Sequence, residues 1–199
     1  GRYEGIDERV HELVATDDGG ASWCDISGDL PDGITGWTVQ QDHVEPGLLF
    51  LGAENGLYVT LNGGANWHRF SAGVPTISFR DVALQRRDDD VVGATFGRGF
   101  YVLDDYGPLR EMAADLRQGG DGIPGDESWA TLFEVRDAWW YIPSVPGQAA
   151  GLPTRGTTAW RAPNPPHGPL FTIHLADVPP TPAQERRDRE RELARAGED

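Results

Sequence analysis

Between Gly36 and Phe70 the chain passes from apolar to polar and back in short, evenly spaced runs. GWTVQQDHV (Gly36–Val44) alternates in part, GLLFLGAE (Gly47–Glu54) is almost continuously apolar, GLYVTL (Gly56–Leu61) mixes aromatic with β-branched residues, and NWHRF (Asn66–Phe70) closes the set. Side chains on an extended chain point alternately to opposite faces, so these runs predict four short strands. Gly, Pro, Asn and Asp punctuate each junction, as tight turns require. A second set follows: ISFRDVALQ (Ile77–Gln85), a turn at Asp88–Asp90, VVGATF (Val91–Phe96) and GFYVLDD (Gly99–Asp105). No helical period separates these strands, which disfavours a parallel α/β sheet. Further on, EMAADLRQ (Glu111–Gln118) predicts a short helix and GGDGIPGDES (Gly119–Ser128) a loop. WATLFEVRDAWWYIP (Trp129–Pro143) predicts the last strand of the assembly, LFTIHLADV (Leu170–Val178) a lone strand, and Thr181 with Pro182 the start of a charged, solvated helix.

The runs repeat. TDDGGASW (Thr16–Trp23) recurs 44 residues on as TLNGGANW (Thr60–Trp67), and GLYVTLNGG (Gly56–Gly64) has a counterpart 43 residues on in GFYVLDDYG (Gly99–Gly107). HELVATDDGG (His11–Gly20) is the matching earlier piece. Periods of roughly 40–50 residues mark propellers and solenoids, and four strands per period is the make-up of a propeller blade. The expected fold is all-β, a partial β-propeller of four-stranded antiparallel blades, about two and a half of them, with an extra C-terminal strand and a short helical tail. Residues 1–143 are read as the C-terminal blades, 144–169 as a Pro/Gly-rich linker, and 170–199 as the truncated start of a following domain.

The repeated octet has a structural explanation. A carboxylate or amide at Asp18 or Asn62, beside the hydroxyl of Thr16 or Thr60, accepts hydrogen bonds from the N–H groups of a tight turn. Gly20 and Gly64 supply backbone angles that other residues resist. Trp23 and Trp67 are expected to plug the space between neighbouring sheets.

Composition narrows the function classes. The net charge is −15, all 17 cations are Arg, and no basic footprint exists for nucleic acid. No run is apolar or long enough to cross a membrane as a helix, so membrane insertion is not expected. Cys24 is the single cysteine and is expected to be a small buried hydrophobe. His11, His43, His68, His167 and His174 have no close-set ligand pair, the acids of Gly119–Ser128 lack the spacing of an EF-hand, and no phosphate-binding glycine loop or serine nucleophile motif occurs; no metal or cofactor is expected. The chain opens at Gly1 in mid-pattern and stops in a charged segment, which reads as a piece of a longer protein lacking its upstream blades.

The octet, Ser/Thr-x-Asp-x-Gly-x-x-Trp, resembles the Asp box of BNR repeats. PGLLFLGAENGLYVTLNGGANW followed by DDVVGATFGRGFYVLDDYGPLRE resembles the large bacterial YVTN/BNR-like propeller proteins, sortilin-related or labelled glycosyl hydrolase on the repeats alone. The likeness covers Val10–Glu111 closely and reaches NPPHGPLFTIHL (Asn164–Leu175) more loosely, as the start of the domain after the propeller. Relatives tend to carry His before the Gly-Arg pair where this chain has Phe96, so no role of that His transfers. The resemblance implies a periplasmic or secreted protein, a non-catalytic protein- or peptide-binding scaffold, or a sialidase- or xyloglucanase-like hydrolase whose site other blades complete. A chaperone-like assembly factor is a third implied role.

In such a propeller the octets lie on one face and ligands meet the other. That face would carry AENG (Ala53–Gly56), TFGRG (Thr95–Gly99), LPDGITGW (Leu30–Trp37) and VPTISFRD (Val74–Asp81). Candidate carboxylates there are Asp32, Glu54 and Asp81, of which Glu54 and Asp81 are the weak catalytic candidates; a glycosidase needs two acids across a sugar, and nothing in the spacing pairs these. Arg80, Arg98 and Trp37 are the candidate ligand-binding residues. The two arginines fall short of a sialidase cluster, the RIP segment of sialidases is absent, and ion pairs with Asp81 and neighbouring acids are their expected state.

Overall fold

The computed structural model describes residues 13–124, 129–138, 168–176 and 180–196. Val14–Ala15 (β1) and Cys24–Asp25 (β2) form a short antiparallel hairpin around the first octet. Gly36–Gln41 (β3), Leu49–Ala53 (β4), Gly56–Thr60 (β5) and His68–Arg69 (β6) make a four-stranded antiparallel meander in that order, with the second octet turning β5 into β6. Phe79–Gln85 (β7), Asp90–Thr95 (β8) and Phe100–Leu103 (β9) make a three-stranded meander. The described chain is therefore mostly antiparallel sheet, as the alternation predicts, and no sheet among the described residues closes on itself.

The first meander is covered on both faces. On one, Phe50, Leu57 and Val59 pack with Phe79, Val82 and Val91 of the second sheet. Gly52 permits the approach: a Cβ there would stand 2.9 Å from the Phe79 carbonyl oxygen. On the other, Leu49, Leu51, Tyr58 and Trp67 pack with Leu13, Ile26 and Ile34. Every residue of β4 and β5 is buried in consequence. Each large apolar side chain so covered contributes roughly 1.5–3 kcal/mol.

A helix, Gly107–Arg117 (α1), follows β9 where a fourth strand stands in the first sheet. It begins four residues before the predicted Glu111, because Pro108 in the first turn has the helical φ and no N–H to lose. Its Ala113 and the preceding Tyr106 seal the core between the sheets.

Three expectations need correcting. The segment from Trp129 contributes only Ala130–Leu132 (β10) among its described residues, and β10 joins neither meander. It pairs antiparallel with Ile173–Leu175 (β11), Thr131 opposite His174, so the C-terminal strand is not alone. Strand runs this short find partners by register as well as by proximity, and one segment's pattern does not reveal a partner far along the chain. Cys24 is exposed, because the two-stranded ribbon that carries it has no sheet over it among the described residues. Pro182–Ala196 (α2) is exposed through Arg195 and opens with a capping box: Thr181 N–H donates to Gln184 Oε1 at 2.8 Å and Gln184 N–H to Thr181 Oγ1 at 3.3 Å. Residues 139–167, which include most of the predicted linker, lie outside the described residues.

Candidate functional site

The two octets are wired alike. In the first, Thr16 Oγ1 donates to Asp18 Oδ1 (2.8 Å) and accepts from Gly20 N–H (2.9 Å), while Asp18 Oδ1 accepts from Ser22 N–H (2.9 Å). In the second, Thr60 Oγ1 donates to Asn62 Oδ1 (3.0 Å) and accepts from Gly64 N–H (2.9 Å), while Asn62 Oδ1 accepts from Asn66 N–H (2.9 Å). Gly20 and Gly64 have φ of 94° and 100°. The Ser22 N–H and hydroxyl bonds, with that from Thr16, hold the Asp18 carboxyl well below the usual carboxylate range. With these bonds made, the octet oxygens are engaged in the turn.

The tryptophans differ. Trp67 is 7% exposed and Trp23 is 59% exposed, so the expectation that both plug the space between sheets holds for one only. Trp67 donates through Nε1 to the Ile26 carbonyl (2.9 Å) and through its N–H to Asp29 Oδ1 (2.6 Å), both from the loop after β2. No preceding unit among the described residues does this for Trp23; it lies over Gly20.

At the opposite end of both meanders lies a different group of side chains. The pairing of β3 with β4 shifts register between Gly36 and Thr38, and that of β7 with β8 between Phe79 and Asp81. The residues inside those two bulges are Trp37 and Arg80. A bulge re-aims the extra side chain out of the ladder. Here both meet: the Arg80 guanidinium carbon stands 3.8 Å from the Trp37 ring centroid and 5.5 Å from that of Phe96. Trp37, Arg80 and Phe96 are all exposed, as is Arg98 beside them on the β8–β9 turn. That turn is held by Thr95, whose N–H and hydroxyl both donate to the Gly99 carbonyl (2.9 and 2.7 Å), with Gly97 and Gly99 at φ of 87° and 72°.

The expected ion pairs do not form: among the described residues neither Arg80 nor Arg98 has a carboxylate within salt-bridge distance. A planar, weakly hydrated guanidinium stacks on an indole face at little desolvation cost, and the bulge delivers it there. Asp81 instead accepts the Val82 N–H at 2.9 Å, which caps the bulge. Glu54 and Asp32 are exposed; Glu54 is placed through its backbone N–H, which donates to the Thr35 carbonyl (2.9 Å). No hydrogen bond joins Glu54, Asp81 and Asp32 to one another, and among the described residues no cluster of three or more His, Cys, Asp or Glu suits a metal ion.

A second polar cluster was not read from the sequence. Asp42, buried in the β3–β4 turn, accepts from Arg110 Nε (2.8 Å) and Nη2 (2.9 Å), from Tyr106 OH (2.8 Å) and from the Glu45 N–H (2.8 Å). Arg110 also forks onto Asp89 (2.8 and 2.8 Å). Two helical turns on, Arg117 Nε bonds both oxygens of buried Glu45 at 3.0 Å. Burial opposes the charge on Asp42, but the Arg110 bonds and then the Glu45 N–H and Tyr106 bonds prevail and hold its carboxyl well below the usual range. Burial, then the bond to Asp42, pushes the Tyr106 hydroxyl up. Every oxygen here is engaged, so the cluster fastens α1 to the first sheet. Its one sequence signal was the seven-residue spacing of Arg110 and Arg117, which puts both on one helix face.

Comparison with protein families, curated proteins and solved structures returns no match to this chain.

Proposed function

We propose that the two meanders are consecutive blades of an Asp-box β-propeller of the BNR type, and that the chain acts as a recognition scaffold. It takes a protein or peptide ligand on the end that carries Trp37, Arg80 and Phe96. The observation that carries this reading is the stacked Trp37–Arg80 pair, delivered by equivalent bulges in successive sheets and left exposed. Tryptophan and arginine are the side chains most enriched at binding hot spots. Arg80 and Arg98 keep donors that no acid of the described chain occupies, in a protein with 32 acidic residues. Asp81 is engaged by the Val82 N–H of its own strand, and the stacked pair consists of side chains typical of binding sites, which favours binding over hydrolysis. Further blades of the same kind complete the ring in this proposal.

The test is a binding screen of the chain against peptide arrays beside sialosides and β-glucans, followed by calorimetry. The expected result is peptide binding weakened at least about tenfold, 1.4 kcal/mol, by Trp37→Ala and by Arg80→Ala, with Glu54→Gln and Asp81→Asn neutral. Glycan turnover abolished by Glu54→Gln or Asp81→Asn overturns it.

A further inference from the structure

Trp37 and Arg80 stand 43 residues apart, the spacing of the repeat, each inside the bulge of its own unit. The neighbouring turns are equivalent as well. Glu54 N–H donates to the Thr35 carbonyl and Phe96 N–H to the Ser78 carbonyl, both at 2.9 Å, so each turn is tied to the residue ahead of the bulged strand. There the units diverge. The first turn has Glu54 and Asn55 between Ala53 and Gly56; the second has Phe96, Gly97 and Arg98 between Thr95 and Gly99. The longer turn brings an aromatic ring, 71% exposed, and a second cation to the side of Arg80.

Stacking on the Trp37 ring leaves the N–H donors of Arg80, which lie in the guanidinium plane, at its edge. Among the described residues no hydrogen bond or ion pair takes up the donors of Arg80 or Arg98. Such an edge fits a planar group with two oxygen acceptors, a carboxylate, which a guanidinium grips through two parallel bonds. Two cations on separate elements suit two acids in one stretch rather than a single chain end. Resting on the ligand face proposed above, we infer that the peptide taken there is acidic: the edge of Arg80 holds the carboxylate of one Asp or Glu side chain, Arg98 that of another nearby, and an apolar side chain between them lies on Phe96. Trp37 is the platform that keeps Arg80 in position. The net charge of −15 repels such a peptide at a distance, but at physiological salt that field fades within about 8 Å, and the arginines act at contact.

Calorimetry of the chain with synthetic peptides tests this. Each peptide is capped at both ends and places Phe between Glu residues; its counterparts carry Gln or Lys in place of every Glu. The expected result is a Glu peptide bound at least about tenfold more tightly than the Gln peptide, 1.4 kcal/mol, with the Lys peptide weakest. Arg80→Gln abolishes the preference for Glu over Gln, and Arg98→Gln narrows it. Arg80→Lys keeps the charge but loses the fork and the stack, so it behaves as Arg80→Gln does. The preference is a ratio measured within each variant, so a lower folded fraction does not move it. Glu and Gln peptides bound alike, a full preference in Arg80→Gln or Arg80→Lys, or binding that appears only when the C-terminus is freed overturns this inference and leaves peptide recognition standing. Binding of no peptide in any series overturns both.

Discussion

Two octets with nearly the same letters and the same internal hydrogen bonds end in different surroundings. The second is buried at Thr60, Gly64 and Trp67. Thr60 has no exposure, Trp67 is bonded to Ile26 and Asp29, and a Cβ on Gly64 would lie 2.5 Å from the Ile26 carbonyl oxygen. The first is exposed throughout, and a Cβ on Gly20 would meet only the Trp23 ring, at 3.6 Å. The turn itself is therefore a local device. What differs is the preceding unit: the loop Ile26–Asp29 lies against the second octet and no equivalent lies against the first among the described residues. Local hydrogen bonding makes the corner, and neighbouring units decide whether the corner carries stability.

Removing the plug breaks this comparison most directly. Trp67→Ala is expected to cost about 3–5 kcal/mol in urea unfolding, the range for a large aromatic lost from a core, and Trp23→Ala less than about 0.5 kcal/mol. Equal costs would mean that Trp23 is covered after all. Next in size is the clamp on the covered unit. Asp42→Asn is expected to cost about 3 kcal/mol, since it strips a fully buried carboxylate from the half-buried Arg110. The same carboxylate gives the pH dependence its sign. Its folded-state pKa lies below the unfolded value of about 4, so its stabilisation is complete above that pH and is lost as pH falls through the folded value. Thermal melts from pH 7 down to pH 2 check this: the wild type loses stability below about pH 4, and Asp42→Asn flattens that loss. The smallest contrast is between the glycines. Both positions have positive φ, so Ala strains each by about 1 kcal/mol, but at Gly64 it also collides with Ile26, for a total of about 2–3 kcal/mol. Parallel unfolding curves for Gly20→Ala and Gly64→Ala measure the difference.

The strands were legible because their causes are local. LLFLGA (Leu48–Ala53) is apolar throughout and proves to be buried at every position; ISFRDVALQ alternates and proves to be half covered. The end that carries Trp37 and Arg80 was legible only in part. Trp37 and Arg80 were both candidates, but their contact depends on two bulges and on the approach of two sheets, and no spacing of 43 residues announces that. Phe96 stood out only as a departure from a resemblance, and its place beside Arg80 emerges from the β8–β9 turn. The arginines were expected on acids because acids are plentiful; stacking prevailed where a bulge brought an indole closer than any carboxylate.

By itself the sequence determined the strands of the two meanders, the octet turns and the presence of the two helices, since period, glycine conformation and capping act within a few residues of their cause. The tertiary structure alone decided which tryptophan is buried, that β10 pairs with β11, that Arg110 and Arg117 bind α1 to Asp42 and Glu45, and that Arg80 lies on Trp37. Each of these joins residues far apart in the chain. Whether they meet depends on how whole sheets stack, and the energy of that stacking is summed over many side chains rather than written in any one motif.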